Sequence, residues 1–267
     1  YHFLKSALTI DNPHMSIEAF MLWLEEKKAA THHNIEEVPF SELKDWEFEE
    51  GTGNLVHSSR KFFSIEGIHI QTNWGNVKEW TQPIINQPEI GFLGIITKKI
   101  DGVLYFLMQA KIEPGNINAV QISPTLQATK SNYTQVHKGN PPLYLEYFIN
   151  ERDDVDVLLD QLQSEQGARF LRKRNRNIII EVTSDIEVKE DFCWLTLGQI
   201  KELLKLDNII NMDTRTVISG IPFGNMDTLS QLKGAVEFSS FESDLLYSEL
   251  NTEHALNSVE GIISWIK

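Results

Sequence analysis

The most informative run of residues for chemistry lies between Val103 and Thr134. Its first part, read at period two, forms a strand with two unlike faces. Leu104, Phe106, Met108, Ala110 and Ile112 make one wholly apolar face, and Val103, Tyr105, Leu107, Gln109, Lys111 and Glu113 make the other. That second face begins apolar and ends in an amide, an ammonium and a carboxylate. A strand running from a core into a cleft has this pattern. The same Lys–Glu pair on an edge strand would be an exposed ion pair worth less than about 1 kcal/mol, and both readings stand at this point. A turn at Pro114-Gly115-Asn116 is followed by Gln121, Ser123, Thr125, Gln127, Thr129, Ser131, Asn132 and Thr134. Uncharged donors and acceptors bind hydroxyls and phosphate oxygens without desolvating a charge, which suits a sugar. Tyr133 and His137 add groups able to transfer protons.

Further candidates lie on either side. His57 and Arg60 stand beside Phe62-Phe63, and Trp80 stands with Gln82 and Pro83. These aromatics either stack on a base or bury in a core. Arg169, Arg172, Lys173, Arg174 and Arg176 place five cations within eight residues of an otherwise acidic chain. Such a cluster is either a solvated helix end or a site for a small anion. Overall, 24 Lys and Arg against 38 Asp and Glu give a net charge of −14 over 267 residues, which disfavours nucleic acid as a partner. The eight histidines show no His-x-x-x-His or His-x-His spacing, so no metal site is expected. Cys193 is the single cysteine, which excludes an internal disulfide and suits a reducing compartment. No run approaches the roughly 20 apolar residues that span a bilayer, and Tyr1 to Met15 lacks the pattern of a signal peptide. No membrane partner and a cytoplasmic location are the expectations.

These groups have to be held by a larger framework. Ser16 to Lys28 reads as an amphipathic helix with Ser16 as N-cap. Between Trp46 and Phe148 short β-like runs dominate, among them Lys61 to Ile65, Ile68 to Thr72, Gly91 to Lys98 and Val103 to Ile112. Val155 to Leu171 carries an apolar stripe at helical spacing, through Leu158, Leu159, Leu162 and Phe170. Asn177 to Val182 reads as a buried strand, and Thr196 to Leu206 as a helix with capping-box spacing at Thr196 and Gln199. A last helical pattern ends in Val259 to Ile266. The predicted class is α+β.

Five strings, WTQPIINQPEIGFLGI (80–95), LMQAKIEPGNINAVQISPTLQATKSNYT (107–134), LQSEQGARFLRKRNRNIIIEV (162–182), WLTLGQI (194–200) and NMDTRTVISG (211–220), resemble the NDP-hexose 2,3-dehydratase family. The resemblance implies a Nudix-like mixed β-sheet sandwiched by helices over residues 46–221, with an N-terminal helical extension (1–45) and a C-terminal helical tail (222–267). The Nudix hydrolase box, an Arg-Glu-x-x-Glu-Glu, is missing. The implied substrate is a nucleotide-linked 4-keto-6-deoxyhexose, usually dTDP-linked, dehydrated without any redox cofactor to a 3,4-diketo sugar. For that reaction Glu113 is the expected base, Lys111 the stabiliser of the enolate and Tyr133 the acid. Lys111 and Glu113 lie two apart on one face, about 7 Å between Cα atoms, and so can address adjacent sugar positions. Arg60, Arg174 or Arg176 would pair with the diphosphate. Substrate contacts are expected from His57, Trp80, Gln82, Gln109, Asn116, Gln127, Ser131, Asn132, Thr134 and His137. A non-catalytic nucleotide-sugar-binding module is the alternative. Known long members carry two modules per chain, so a one-module chain is expected to form a homodimer, with contacts near Trp80 to Leu93 and Ile209 to Ile221.

Overall fold

The hairpin at the centre of the molecule is specified by two residues. Asp101 and Gly102 both have positive φ, 50° and 78°, which the tight turns matching strand twist require. They join β5 (Gly91–Ile100) to β6 (Val103–Ile112). The computed structural model describes residues 1–129, 141–222 and 259–266. Before the hairpin come α1 (His2–Leu8), α2 (Ile17–Ala30), β1 (Trp46–Phe48), β2 (Leu55–His57), β3 (Ser64–Gln71) and β4 (Glu79–Asn86). After it come β7 (Val120–Ser123), β8 (Leu126–Ala128), α3 (Glu146–Ile149), β9 (Val155–Ser164), β10 (Arg174–Val182), β11 (Phe192–Thr196), α4 (Leu197–Leu203), α5 (Met212–Ile218) and α6 (Val259–Ile266).

Two sheets result. β1 to β4 form a four-stranded antiparallel meander. The larger sheet runs β11-β6-β5-β10-β9 and is mixed, because β10 pairs parallel to β5 while its other pairings are antiparallel. This is the α+β class that the sequence predicts. β6 carries the two faces expected of it. Leu104, Phe106, Met108 and Ala110 enter one core with Phe20, Leu24, Ile200 and Val217. Leu107 enters a second core on the other face, with Phe148, Ile178 and Ile180. Each large apolar side chain buried this way contributes roughly 1.5–3 kcal/mol. Gly94 is required where α3 crosses the sheet, since a Cβ there would lie 2.5 Å from the Phe148 ring.

The ladder between β5 and β6 does not run their full length. It stops at Ile96 and Leu107; beyond that point β7 pairs with β6 and β8 pairs with β5. Thr125 sits in the fork. Its Oγ1 donates to the Leu107 carbonyl (2.5 Å) and accepts from the Ile96 amide (2.9 Å). The Leu107 carbonyl and the Ile96 amide thus keep partners at the fork, and the split carries the end of β6, with β7, away from β5, which keeps β8.

One expectation is overturned. Val155 to Leu171 is not a helix: Val155–Ser164 is strand β9, paired along β10. The register shifts where Ile179 pairs with Leu159 and Ile180 with Val157, so Leu158 is an extra residue in a bulge. Leu158 and Leu159 consequently both face the main core, and the inserted residue turns a period of two into an apparent helical stripe. The cationic run that follows is thus a loop entering β10, not a helix end. Lys61 to Phe63 also precede β3 and do not belong to it. Elsewhere the Ser16 cap accepts from the Ala19 amide, and Thr196 and Gln199 form a full capping box. Among the described residues no helix is long and apolar enough to cross a membrane.

Candidate functional site

Where β6 with β7 diverges from β5 with β8, the N-terminal end of α5 closes over the gap. Asn211 anchors it. Its backbone N–H donates to the Ile122 carbonyl, and its Oδ1 caps the helix by accepting from the Thr214 amide (2.8 Å). The cap leaves the Asn211 amide group free to face β6 and β8, and it donates to Glu113 Oε2 (3.3 Å) and Gln127 Oε1 (3.2 Å). Gln127 in turn donates to Glu113 Oε1 (2.7 Å). Glu113 is thereby fixed by two amides from different elements. Lys111 is one turn of the pleat away, with Nζ donating to the Gln127 carbonyl (3.4 Å).

Lys111, Gln127 and Asp213 of α5 line a cleft of about 440 Å³ with Glu165, Lys173 and Asn175, and its apolar wall includes Phe62, Phe63, Phe92 and Phe170. A smaller chamber of about 190 Å³ adjoins it and shares Leu93, Glu165, Asn175, Met212 and Asp213. The electrostatics follow from burial. Loss of solvent pushes Lys111 below the ordinary lysine range, opposed by the charges of Glu113 and Asp213. The same desolvation, aided by Glu113 and Glu165 and opposed by Lys111, raises Asp213 to about 6. Lys173 is buried, donates to the Glu89 carbonyl, and is also lowered by desolvation. An ammonium beside a carboxylate of raised proton affinity is the pairing needed to take a proton next to a carbonyl and stabilise the anion left behind.

The other predicted residues distribute unevenly. Gln109 lies on the Lys111 side of β6, in register with Ser123. Asn116 closes the turn after β6 by donating to the Ala119 carbonyl. His57 packs on Phe62 and bonds Ser59. Arg60 is paired with Glu47 and Glu49 (3.5 and 2.9 Å). Trp80 donates to Gln82, which donates to the Ala168 carbonyl. Arg176 holds Asp160 through two bonds (2.7 and 2.5 Å) and lies over the Phe92 ring, while Arg174 is exposed at the start of β10. The cleft wall thus brings together Lys111 and Gln127, with Glu113 bonded to Gln127; His57, Arg60, Trp80, Gln82, Arg174 and Arg176 do not line it. Ser131, Asn132, Tyr133, Thr134 and His137 lie outside the described residues. Sequence alone assigns no role to Asn211, Asp213 or Glu165, and names Lys173 only as one of the five clustered cations. The one local signal was the N-cap spacing of Asn211 and Thr214. Among the described residues no group of three or more His, Cys, Asp or Glu side chains is placed to hold a metal.

Residues 17–221 match the family model described as NDP-hexose 2,3-dehydratase. The chain is 50% identical over 235 residues to a dTDP-4-dehydro-6-deoxy-alpha-D-glucopyranose 2,3-dehydratase of Saccharopolyspora spinosa, covering 88% of this chain and 48% of that one. It is likewise 50% identical over 223 residues to the enzyme of the same name from Amycolatopsis orientalis, covering 82% of this chain and 47% of that one. The chain therefore spans about half the length of the curated relatives it matches. Among solved structures it is similar to an ADP compounds hydrolase (12% identity, TM-score 0.37, 65% of this chain and 88% of that one). It is also similar to a Nudix hydrolase from M. smegmatis, RenU (11% identity, TM-score 0.32, 58% and 96%).

Proposed function

This chain belongs to the NDP-hexose 2,3-dehydratase family, and we propose that its cleft binds a dTDP-linked 4-keto-6-deoxyhexose and removes water across C2 and C3. The product is a 3,4-diketo-2,6-dideoxyhexose for deoxysugar biosynthesis. The observation that carries this reading is the half-buried Lys111 ammonium, which lines the cleft with Asp213 and is under the charge of both Asp213 and Glu113. The C4 ketone acidifies the C3 proton. A carboxylate beside Lys111 takes that proton, and the electron pair becomes an enolate whose oxygen Lys111 stabilises. The enolate then collapses to a C2=C3 double bond as the C2 hydroxyl leaves as water, and the resulting enol tautomerises to the diketone. Tyr133 is the proposed acid for the leaving hydroxyl. The apolar wall around Phe62 and Phe63 suits the nucleobase, and Lys173, the cation of the cationic run that lines the cleft, suits the diphosphate.

Incubation of the purified chain with dTDP-4-keto-6-deoxyglucose tests this: mass spectrometry should show loss of one water from the sugar, or the breakdown products of the diketone. The second reading is a nucleotide-sugar-binding module that supports a catalytic partner, since the match covers only about half of each relative; such a module would bind dTDP-sugar and return it unchanged. We also propose a cytoplasmic homodimer, with residues 46–221 as the catalytic module, 1–45 as its helical extension and 222–267 as a tail. The core claims Leu93, Ile209, Ile210, Val217 and Ile221, whereas Trp74, Val77 and Trp80 remain exposed, so the small sheet is the better candidate for the dimer contact. Light scattering at micromolar concentration should give twice the chain mass.

A further inference from the structure

Two carboxylates stand beside Lys111, and they differ in what already holds them. Both Glu113 oxygens accept amide donors, Oε1 from Gln127 and Oε2 from Asn211. Among the described residues no hydrogen-bond donor reaches the Asp213 carboxylate. Asp213 lies in the walls of both the cleft and the adjoining chamber. Asn177, another residue of that chamber wall, keeps a buried Oδ1 that has no partner among the described residues. Asp213 is half-buried and opens on both cavities, so a carboxylate there without a donor of its own is placed to take one from outside the chain: water, or the acid proton of a ligand.

We propose that Asp213 is the group that takes the C3 proton and that Glu113 is a positioning residue which fixes the Gln127 and Asn211 amides; this rests on the dehydratase reading. In the step, the C3–H bond breaks, its electron pair becomes the enolate over C3, C4 and O4, and the proton bonds an Asp213 oxygen. When the enolate collapses, its pair forms the C2=C3 bond and the C2–O bond breaks. The departing hydroxyl takes one proton from the acid of that reading and Asp213 returns the one it holds to that acid, so the cycle closes with one water lost and Asp213 ionised again. The charged groups around Asp213 are Lys111 and Glu113 from the end of β6, and Glu165 and Lys173 from the loop between β9 and β10. Their balance with burial, which raises Asp213 to about 6, leaves a carboxylate ionised at neutral pH and more avid for a proton than an ordinary one.

The test separates proton abstraction from dehydration by following exchange of the C3 proton in D2O by NMR, beside loss of water by mass spectrometry. Asp213→Asn should lower C3 exchange by about 10²-fold or more, the usual contribution of a general base, with dTDP affinity kept within a few fold. Glu113→Gln should cost about ten-fold or less and move the acidic limb of the rate profile to lower pH, because it removes a negative neighbour of Asp213. The wild-type exchange rate should itself fall below about pH 6, a readout that needs no variant to fold. Exchange in Asp213→Asn within ten-fold of wild type, or a wild-type rate flat between about pH 5 and 7, overturns the assignment. Exchange without water loss in the wild type would overturn the dehydratase reading and leave Asp213 in place. A wild type that does neither overturns both.

Discussion

Two short helices, α4 and α5, begin at opposite ends of the large sheet and start with the same device, a side chain capping the first turn. At α4 every polar group in the cap is used internally. Thr196 accepts from Gln199, whose side chain accepts from the Thr196 amide and from Asn12 and donates to the Met15 carbonyl, while Ser6 accepts from the Leu197 amide. At α5 the Asn211 cap satisfies the helix with its oxygen and turns its amide toward Glu113 and Gln127, and two residues later Asp213 has no donor among the described residues. The difference teaches where stability and chemistry separate. A fully satisfied polar network fixes two elements against each other; a network that leaves one carboxylate open fixes the surroundings and leaves that carboxylate for a ligand.

The comparison breaks most easily at Lys111. Lys111→Met keeps the stem's packing and removes the ammonium that donates to the Gln127 carbonyl; turnover should fall by about 10³-fold, the scale of a lost oxyanion stabiliser. Unchanged steady-state rates would remove the α5 end from the chemistry. A smaller and opposite effect is expected on stability at Asp213. Its folded-state pKa is raised, so its favourable contribution is complete below the ordinary carboxylate range near 4 and is lost as pH rises through about 6. At pH 8 the ionised group opposes folding, and Asp213→Asn should raise stability on the order of 1–2 kcal/mol in urea unfolding, with the gain shrinking toward pH 5. A variant less stable than wild type at pH 8 would contradict the open-carboxylate account.

The two caps sharpen the contrast further. Thr196→Ala should cost about 1–2 kcal/mol of stability and leave kcat/KM within two-fold, whereas Asn211→Ala should cost about 1 kcal/mol and lower kcat/KM roughly ten-fold through its loss of hold on Glu113. Equal kinetic effects from the two would erase the distinction. Asp160→Asn is the smallest change. It breaks the half-exposed pair with Arg176 outside both regions, so a loss below about 1 kcal/mol and no kinetic effect are expected.

How much of this was legible from sequence follows from how far apart the partners lie along the chain. β6 emerged with its full bounds because alternation is local, and so did the Thr196–Gln199 box and the Ser16 cap. The bulge in β9 disguised a strand as a helix by inserting one residue, Leu158, into the alternation. Strand parity also placed Lys111 at the cleft. The Asn211 contacts with Glu113 and Gln127 span 98 and 84 residues, and no local pattern marks such a closure. Arg60 and Arg176 read from sequence as free guanidinium groups, yet each has a carboxylate brought in by another strand or loop.

A crystal structure of the chain with a dTDP-linked 4-keto-6-deoxyhexose bound tests the central claim most directly. The account predicts the sugar at the α5 end, with O4 within about 3 Å of Lys111 Nζ and C3 facing the Asp213 carboxylate. A sugar seated elsewhere, with Lys111 and Asp213 still facing empty solvent, would contradict it.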